Sequence, residues 1–266
     1  APIDPWGYVT VSGAKTLAPG QPFGAAYYDW SHRPLVADST GEIVREQQWL
    51  DLVGAYGITS LGKTGGLEAG LDLPVEAHEV DFATGDRRES GGLGDLRTDL
   101  KASFGDRDDD FFGLETRGYV SWPTGRHSLH FMSNDGAFTI GGEVGAEAKA
   151  GFIRGGITAG FEWIDSKFDL PGTPFRVDDR FRFGLAIGLA PLHDIAGFET
   201  LEAVFELTHW TLADRPWDHE ATAPVEVGGA LRYNGKFFAL AGASGTLNQG
   251  IGAPDARIVL AVGYAF

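Results

Sequence analysis

The feature of this sequence that most constrains its fold is a two-residue alternation between bulky apolar residues and small or charged ones. It is clearest at the end of the chain, where one phase carries Ile258, Leu260, Val262, Tyr264 and Phe266. The alternate positions, from Arg257 to Ala265, carry Arg, Val, Ala, Gly and Ala. Because successive side chains of a β-strand point to opposite faces, this pattern predicts strands with one bulky apolar face.

The same alternation recurs along most of the chain, and no helical pattern of three or more turns stands out. We therefore predict an all-β fold with about twelve antiparallel strands, an even number being expected of a single-chain bacterial barrel. The predicted strands cover residues 22–32, 43–57, 67–77, 93–104, 111–122, 136–149, 152–164, 179–190, 200–212, 223–234, 236–246 and 256–266.

The composition of the second face distinguishes a transmembrane barrel from a soluble β-sandwich. A sandwich also alternates, but its polar face tends to carry Lys, Thr, Ser and Glu, whereas this face carries Gly, Ala and isolated charges. A membrane barrel turns bulky apolar side chains toward lipid and encloses small and charged ones. No apolar stretch approaches the roughly 20 residues of a membrane-spanning helix, and the mean hydropathy of −0.11 is compatible with a barrel.

The predicted connections alternate in length, as they do in barrels with short periplasmic turns and longer extracellular loops. We expect both termini to be periplasmic, which makes the inner connections residues 58–66, 105–110, 150–151, 191–199 and the Asn234-Gly235 turn. The outer connections are then residues 33–42, 78–92, 123–135, 165–178, 213–222 and 247–255.

The first residues do not alternate, and their Pro, Gly and Thr content predicts an N-terminal periplasmic arm over residues 1–21, ahead of a barrel domain over residues 22–266. The sequence leaves open whether the arm lies free, pairs with a rim or enters the lumen. The chain starts at Ala1 and its only methionine is Met132. That fits a trimmed chain or a mature protein exported with a cleaved signal peptide, and we expect the second.

If the bulky face points to lipid, the opposite face lines the lumen with ten acids and eight bases. This near balance predicts cross-strand ion pairs, because buried charges need partners. Two interpretations stay open, a structural charge lattice and a selective constriction in a pore, and both can hold at once. The predicted lumen residues are Glu68, Asp72, Asp99, Glu115, Glu143, Glu147, Glu162, Glu202, Glu206, Glu226, Arg97, Lys101, Arg117, Arg154, Arg180, Arg182, Arg232 and Arg257.

Aromatic residues near the predicted strand ends are typical of the two girdles that a membrane barrel places at the lipid–water interfaces. The predicted interface aromatics are Phe104, Phe112, Trp122, Trp163, Phe237, Tyr264 and Phe266.

Charge and composition exclude several classes of function. The formal net charge is −16, which argues against nucleic acid because phosphate binding needs a basic face. The absence of cysteine excludes disulfides, thiolate catalysis and cysteine-based zinc sites. One acidic cluster does not have the spacing of a calcium loop, so we predict that it forms a solvated turn; its members are Asp106, Asp108, Asp109 and Asp110. We expect no metal and no cofactor.

One cluster raises the alternative of a lipid-acting enzyme. The run Arg126-His127-Ser128-Leu129-His130 places a serine between two histidines in a predicted outer loop. A catalytic triad needs a nucleophile, a base and an orienting group in contact on a rigid frame. The loop is flanked by Pro and Gly, and no HExxH, P-loop or GxSxG motif occurs, so we expect the protein not to be an enzyme.

The last run, Ile258-Val-Leu-Ala-Val-Gly-Tyr-Ala-Phe266, resembles the terminal signal strand of Gram-negative outer-membrane barrels. Other stretches are similar to one porin-type family, whose barrel domains are found ahead of thrombospondin type-3 repeats and outer-membrane-protein-A-like modules. These stretches are Gly54-Ala-Tyr-Gly-Ile58, Leu67-Glu-Ala-Gly-Leu-Asp-Leu-Pro74, Gly91-Gly-Leu-Gly-Asp-Leu-Arg97, Trp122-Pro-Thr-Gly125, Pro224-Val-Glu-Val-Gly-Gly-Ala-Leu-Arg-Tyr233 and Gly250-Ile-Gly-Ala-Pro-Asp-Ala-Arg257.

The resemblance implies a barrel in the outer membrane of a Gram-negative bacterium and carries no catalytic residues. It implies as partners the outer-membrane lipids, lipopolysaccharide and the barrel-assembly machinery, which would read the last strand. The function we expect is a narrow porin-like channel for passive diffusion of small hydrophilic solutes or ions. The alternative is a closed structural barrel that acts as an anchor in an envelope assembly with unknown protein partners.

Overall fold

A computed structural model describes residues 7–37, 41–81, 87–105, 111–125, 136–169, 176–195, 198–217, 223–248 and 253–266. The strands are β1 (Pro22–Ala37), β2 (Gly41–Leu61), β3 (Gly65–Asp81), β4 (Arg87–Leu93), β5 (Leu96–Phe104), β6 (Phe112–Trp122), β7 (Thr139–Ala150), β8 (Ile153–Ile164), β9 (Phe168–Asp169), β10 (Arg176–Val177), β11 (Arg180–Ile195), β12 (Phe198–Leu212), β13 (Val225–Asn234), β14 (Phe237–Thr246) and β15 (Ala256–Ala265).

All wall strands belong to one closed antiparallel sheet. β1 pairs with both β2 and β15, and β2 also pairs with β3, which joins the two ends of the sheet. β4 and β5 pair with successive parts of β3, so they form one wall strand that is interrupted at residues 94–95. The wall therefore has twelve strands, while β9 and β10 form a separate two-stranded sheet. The prediction of an all-β, twelve-stranded antiparallel barrel is confirmed.

Each predicted strand corresponds to one wall strand, but several strands are longer than predicted. The connection predicted at 58–66 shrinks to residues 62–64, and that predicted at 191–199 shrinks to residues 196–197. The outer connections predicted at 33–42 and 78–92 shrink to residues 38–40 and 82–86. The apolar alternation fades where a strand leaves the apolar zone, because water accepts polar residues on both faces. Backbone pairing continues there, and hydropathy does not report it.

The two ends of the barrel differ in their connections. One end carries the connections 62–64, 105–111, 151–152, 196–197 and 235–236, and we call it the turn end. The opposite end carries 38–40, 82–86, 123–138, 165–179, 213–224 and 247–255, and we call it the loop end. Gly151 has a positive φ of 62° in the tight turn between β7 and β8, a conformation that glycine adopts without strain.

The outer surface of the wall is apolar and the inner surface is not. On β6, residues alternate regularly between exposed and buried from Phe112 to Tyr119. Outward residues such as Ile157 (59% exposed) and Val144 (59%) form a continuous apolar belt, while the buried phase of the same strands faces inward. No helix in the described part of the chain is long and apolar enough to cross a membrane.

Candidate functional site

The candidate site is the lumen, and all eighteen predicted lumen charges lie on the inward phase of their strands. Those that are almost fully buried are Glu68, Asp72, Asp99, Glu115, Glu147, Glu162, Glu202, Lys101, Arg117, Arg154 and Arg232. Those that keep more exposure are Glu143, Glu206, Glu226, Arg97, Arg180, Arg182 and Arg257. Sequence reasoning missed three inward acids, Asp29, Asp51 and Glu76, although Glu76 follows Asp72 in the same strand phase.

One group of these charges centres on Glu162 of β8. Its carboxylate accepts a hydrogen bond from Arg182 Nη1 at 3.0 Å and also contacts Arg180 and the hydroxyl of Tyr119. Arg97 lies over the ring of the same tyrosine, 3.9 Å from its centroid. The buried carboxylate of Glu162 on β8 thus binds two guanidinium groups of β11 and links the two strands.

A second group centres on Glu202 of β12. Its carboxylate accepts hydrogen bonds from Arg232 on β13 and from Arg154 on β8, whose Nη2 lies 3.1 Å away. Arg154 also pairs with Glu147 at 3.3 Å. The pair of Arg154 and Glu202 crosses β11 at Gly188, which is directly opposite Arg154 in the sheet. A Cβ at Gly188 would contact the Glu202 carboxylate and lie 2.9 Å from Arg154 Nε, so this position admits only glycine without displacing the pair.

Smaller ion pairs complete the lining. Lys101 pairs with Glu115 at 3.4 Å, and Arg117 pairs with Asp99 at 3.5 Å. Arg257 lies 3.5 Å from both Glu226 and Asp29. Most of the lumen bases are therefore paired with a carboxylate. With Asp29, Asp51 and Glu76 included, the inward acids of the described strands number thirteen against eight bases, so the lining carries an acidic excess.

The lumen also holds part of the N-terminal segment. Residues 7–20 form no strand with the wall, and Tyr8, Val11, Ala14 and Leu17 are each at most 2% exposed. Val11 and Leu17 belong to the same buried apolar cluster as Phe23 and Phe238 of the wall. The sequence left open where the predicted periplasmic arm lies; its described part lies inside the barrel, because the wall offers it hydrogen-bond acceptors and apolar contacts there. We call residues 7–20 the lumen segment.

Wall carboxylates hold the turn-end half of the lumen segment. Leu17 N donates to Glu68 at 2.8 Å, and Ala14 N donates to Glu147 at 3.0 Å. Ser12 Oγ donates to Glu115 at 2.8 Å. Wall cations bind the carbonyls of the segment: Lys101 Nζ donates to Lys15 O at 2.8 Å, and Arg154 Nη2 donates to Gly7 O at 3.1 Å.

Glu206 of β12 binds the loop-end half of the segment. It accepts from Thr10 N and Thr10 Oγ1 at 2.9 and 2.7 Å, and from Val11 N at 3.2 Å. It also accepts from Val9 N. Tyr8 follows, with its ring 3.8 Å from the guanidinium carbon of Arg154. The segment is thus bound at both ends of its path by charges that were predicted as lumen charges.

Glycines of the wall make room for the lumen segment. A Cβ at Gly184 would lie 2.7 Å from a Val11 methyl group, and one at Gly113 would lie 2.8 Å from Ala14 Cβ. The other close approaches are Gly156 to Tyr8, Gly66 to Thr16 and Gly57 to Ala18. From the sequence these glycines are only small residues of the inward face, and the pattern does not indicate that five of them face a polypeptide segment.

The two larger cavities that the described residues enclose in the lumen lie beside different parts of the segment. The loop-end cavity has a volume of about 290 Å³, and Thr10 and Val11 line it together with Arg182, Trp210 and Glu226. The turn-end cavity has a volume of about 330 Å³ and is lined by Ala14–Pro19 and by wall residues at the turn end, including Lys63 and Ser103. The segment therefore borders two spaces in the lumen, one toward each end of the barrel.

The predicted interface aromatics all point outward, near one end or the other. Trp122 and Trp163 are 42% and 41% exposed near the loop end. The others are 41–75% exposed near the turn end, and they are Phe104, Phe112, Phe237, Tyr264 and Phe266. At the loop end the sequence missed a contact between Trp217 and His209. The two rings are nearly parallel, with an interplanar angle of 11°, and Trp217 Nε1 donates to His209 Nε2 at 2.9 Å.

An ion pair outside the wall ties together residues next to β9 and β10. Lys167 contacts Asp178 and lies 3.5 Å from Asp179. The hydrogen bond to Asp178 raises the pKa of the Lys167 ammonium group above its ordinary value. The Lys167 ammonium group therefore stays charged at neutral pH, and the contact is an ion pair of small energetic weight because the lysine is exposed.

Two clusters weighed from the sequence lie outside the described residues. They are His127, Ser128 and His130 of the serine–histidine cluster and the aspartates at 106 and 108–110. Within the described ranges, no group of three or more His, Asp or Glu side chains is arranged to hold a metal ion.

Comparison with solved structures finds outer-membrane barrels. The COG4313 outer membrane channel from Pseudomonas putida F1 matches with a TM-score of 0.66 at 15% identity, over 95% of this chain and 98% of that chain. The β domain of the Bordetella autotransporter BrkA matches with a TM-score of 0.52 at 13% identity, over 93% and 99%. The NanC porin matches with a TM-score of 0.51 at 11% identity, over 92% and 98%.

No protein-family model and no curated protein matches the sequence. At identities this low the likeness is one of fold, and it confirms the prediction of an outer-membrane, porin-type barrel at that level. The resemblance to barrels that precede thrombospondin type-3 repeats stays a prediction.

Proposed function

We propose that this protein is a narrow outer-membrane channel for small hydrophilic solutes or ions, in which the lumen segment restricts the passage. The observation that carries the proposal is the pair of lumen cavities, about 290 and 330 Å³, that lie beside successive parts of that segment, Thr10–Val11 and Ala14–Pro19. A barrel built only as an anchor gains nothing from such cavities along its lumen. Solved neighbours described as a channel and a porin support the same function.

The setting of the channel is part of the proposal. The protein is exported with a cleaved signal peptide into the outer membrane of a Gram-negative bacterium, where its apolar belt faces lipids and lipopolysaccharide. Both termini lie on the periplasmic side, and the barrel-assembly machinery reads the last strand. We expect the protein to perform no chemistry and to need no cofactor, which agrees with solved neighbours that are described as a channel and a porin.

Single-channel recording of the full chain in planar lipid bilayers tests this function. We expect a small conductance, because the segment narrows the lumen. Arg182 lines the loop-end cavity with 48% of its side chain exposed. Arg182→Glu should therefore shift the reversal potential in a salt gradient toward cation selectivity.

Ile157→Val provides the matched control, because Ile157 faces outward and should leave the reversal potential unchanged. Absence of conductance from inserted, heat-modifiable protein would favour the closed structural barrel instead. A conductance that Arg182→Glu does not alter would mean that the current bypasses the lumen.

A further inference from the structure

We propose that Glu206 is the positioning residue of this channel: its carboxylate fixes residues 9–11 across the lumen and thereby limits conduction. The inference rests on the proposed channel function. It concerns a contact that no strand pairing enforces, since the lumen segment forms no backbone hydrogen bond to β12 among the described residues.

The contact has the geometry of an anion site. The backbone N–H groups of Val9, Thr10 and Val11 all donate to the same carboxylate, and the Thr10 hydroxyl adds a fourth donor at 2.7 Å. Successive N–H groups that converge in this manner form a concavity that binds negative charge. Each bond is charge-assisted, so the carboxylate binds this stretch more strongly than a neutral acceptor would.

Glu206 differs from Glu202, its neighbour on the same face of β12, in the groups that its carboxylate binds. Glu202 lies four residues earlier on the same face, and its carboxylate joins Arg154 and Arg232 of the wall. Glu206 has no ion-pair partner among the described residues, and all of its hydrogen bonds go to Val9, Thr10 and Val11. An ionised carboxylate in a confined site is costly unless it is bound, so here the segment itself supplies the binding groups.

The position of this contact is what couples it to conduction. Thr10 and Val11 line the loop-end cavity, so they form its floor toward the turn end. The stretch from Ser12 to Leu17 has its own carboxylate partners in Glu115, Glu147 and Glu68. Loss of the Glu206 contact should therefore free residues 9–11 and widen the passage at the loop-end cavity, while Ser12–Leu17 and Gly7, which Arg154 binds, stay in place.

Glu206→Gln is the informative substitution because it keeps the shape of the side chain. The amide nitrogen of the glutamine would face N–H or O–H donors, since every hydrogen bond of the Glu206 carboxylate comes from a donor of residues 9–11. Glu226→Gln is the matched control: it removes one lumen carboxylate whose partners are Arg257 and Ser244 on the wall.

The first measurement does not depend on conduction. The chain contains no cysteine, so Val11→Cys introduces a single thiol at a position that is 2% exposed. A small membrane-impermeant thiol reagent should modify it slowly with Glu206 present. With Glu206→Gln the rate should rise at least about tenfold, as expected for the loss of one charge-assisted hydrogen bond, and with Glu226→Gln it should not.

The second measurement is single-channel conductance, which should increase with Glu206→Gln. Val11 and Gly184 approach each other closely, so a Val11→Cys and Gly184→Cys pair in the Glu206→Gln background should restore the low conductance when oxidised and lose it again on reduction. If Glu206→Gln fails to insert, Thr10→Ala removes one of the four donors and should raise the labelling rate of Val11→Cys by a smaller factor.

The outcomes separate the two proposals. An unchanged labelling rate in Glu206→Gln overturns the role of Glu206, whatever the conductance. Faster labelling with no conductance, in either redox state of the cysteine pair, supports the positioning role and overturns the channel function. Faster labelling with a raised conductance that the disulfide returns to the low value supports both.

Discussion

The wall of the barrel and the lumen segment are held by different kinds of contact. Every wall strand has backbone pairing to two neighbours, as β1 has to β2 and β15 over most of its length. Among the described residues, the backbone hydrogen bond between the lumen segment and the wall lies near the end of the segment, where Gly20 N donates to Gly57 O at 2.8 Å. Elsewhere side chains of the wall bind it. Stability of the wall is therefore distributed over many bonds, whereas that of the segment depends on a few replaceable side chains.

The largest expected effect is on the wall. Glu202→Ala removes the carboxylate that joins Arg154 and Arg232, which are 7% and 1% exposed. Breaking a buried ion pair by removing one partner leaves charge poorly compensated, so we expect a loss of about 3 kcal/mol in the free energy of unfolding. Unfolding of the detergent-solubilised barrel in denaturant measures it. Glu226→Gln, at a more exposed ion pair, should cost clearly less, and equal losses would contradict the ranking.

The next effect tests the outer face of the wall. Ile157 lies near the middle of β8 and is 59% exposed, so in a bilayer it contacts lipid. Ile157→Arg should cost about 2–4 kcal/mol in unfolding from lipid vesicles, and an arginine at the interface much less. Ile153→Arg, at the first residue of β8, is the matched variant. Similar costs at both positions would mean that the apolar belt is not embedded as proposed.

A smaller loss in the free energy of unfolding is expected at Gly188, where the ion pair of Arg154 and Glu202 crosses β11. Gly188→Ala introduces a methyl group against the Glu202 carboxylate and Arg154, and the resulting shift should cost about 1–3 kcal/mol. Gly118→Ala is the control, because a Cβ there has no heavy atom within 4 Å. Thermal unfolding midpoints of the two variants should differ. If they coincide, the ion pair adjusts without strain and is not a fixed part of the wall.

The smallest effect should fall on the lumen segment alone. Ser12→Ala removes one hydrogen bond to Glu115, worth about 1 kcal/mol. Because Glu115 keeps its ion pair with Lys101, unfolding of the wall should change little. Hydrogen exchange of the amides of residues 9–17 should accelerate, while that of β6 should stay as in the unmodified protein. Equal acceleration in β6 would show that the segment and the wall unfold as one unit.

Much of the wall is determined by the sequence alone. The period-two pattern distinguishes outward Ile157 and Phe161 from inward Thr158 and Glu162, because the strand geometry itself has that period. The pattern also identifies the twelve strands and the eighteen inward charges. It does not identify strand ends such as Leu61 and Ile195, since pairing there extends beyond the apolar zone.

The partners of the lumen charges are decided only in the folded barrel. Sequence position suggests that Arg154 meets acids on an adjacent strand, and Glu147 is indeed one. Glu202 is two strands away and reaches Arg154 only because Gly188 lies between them. Such a contact depends on the curvature and register of the sheet, and neither is encoded in a local pattern.

The placement of the N-terminal residues depends most clearly on the tertiary structure. Residues 7–20 have one charge, Lys15, and no regular period, so nothing local distinguishes a free arm from a segment inside the barrel. The surplus of glycine, 39 residues, is a weak signal that the lumen must accommodate more than side chains.

The sequence by itself determines which residues face lipid and which face inward, because a strand exposes its two faces independently of its neighbours. Only the closed barrel brings Glu68, Glu115, Glu147 and Glu206 around one space, and only there do backbone N–H groups of the segment find the acceptors that hold it.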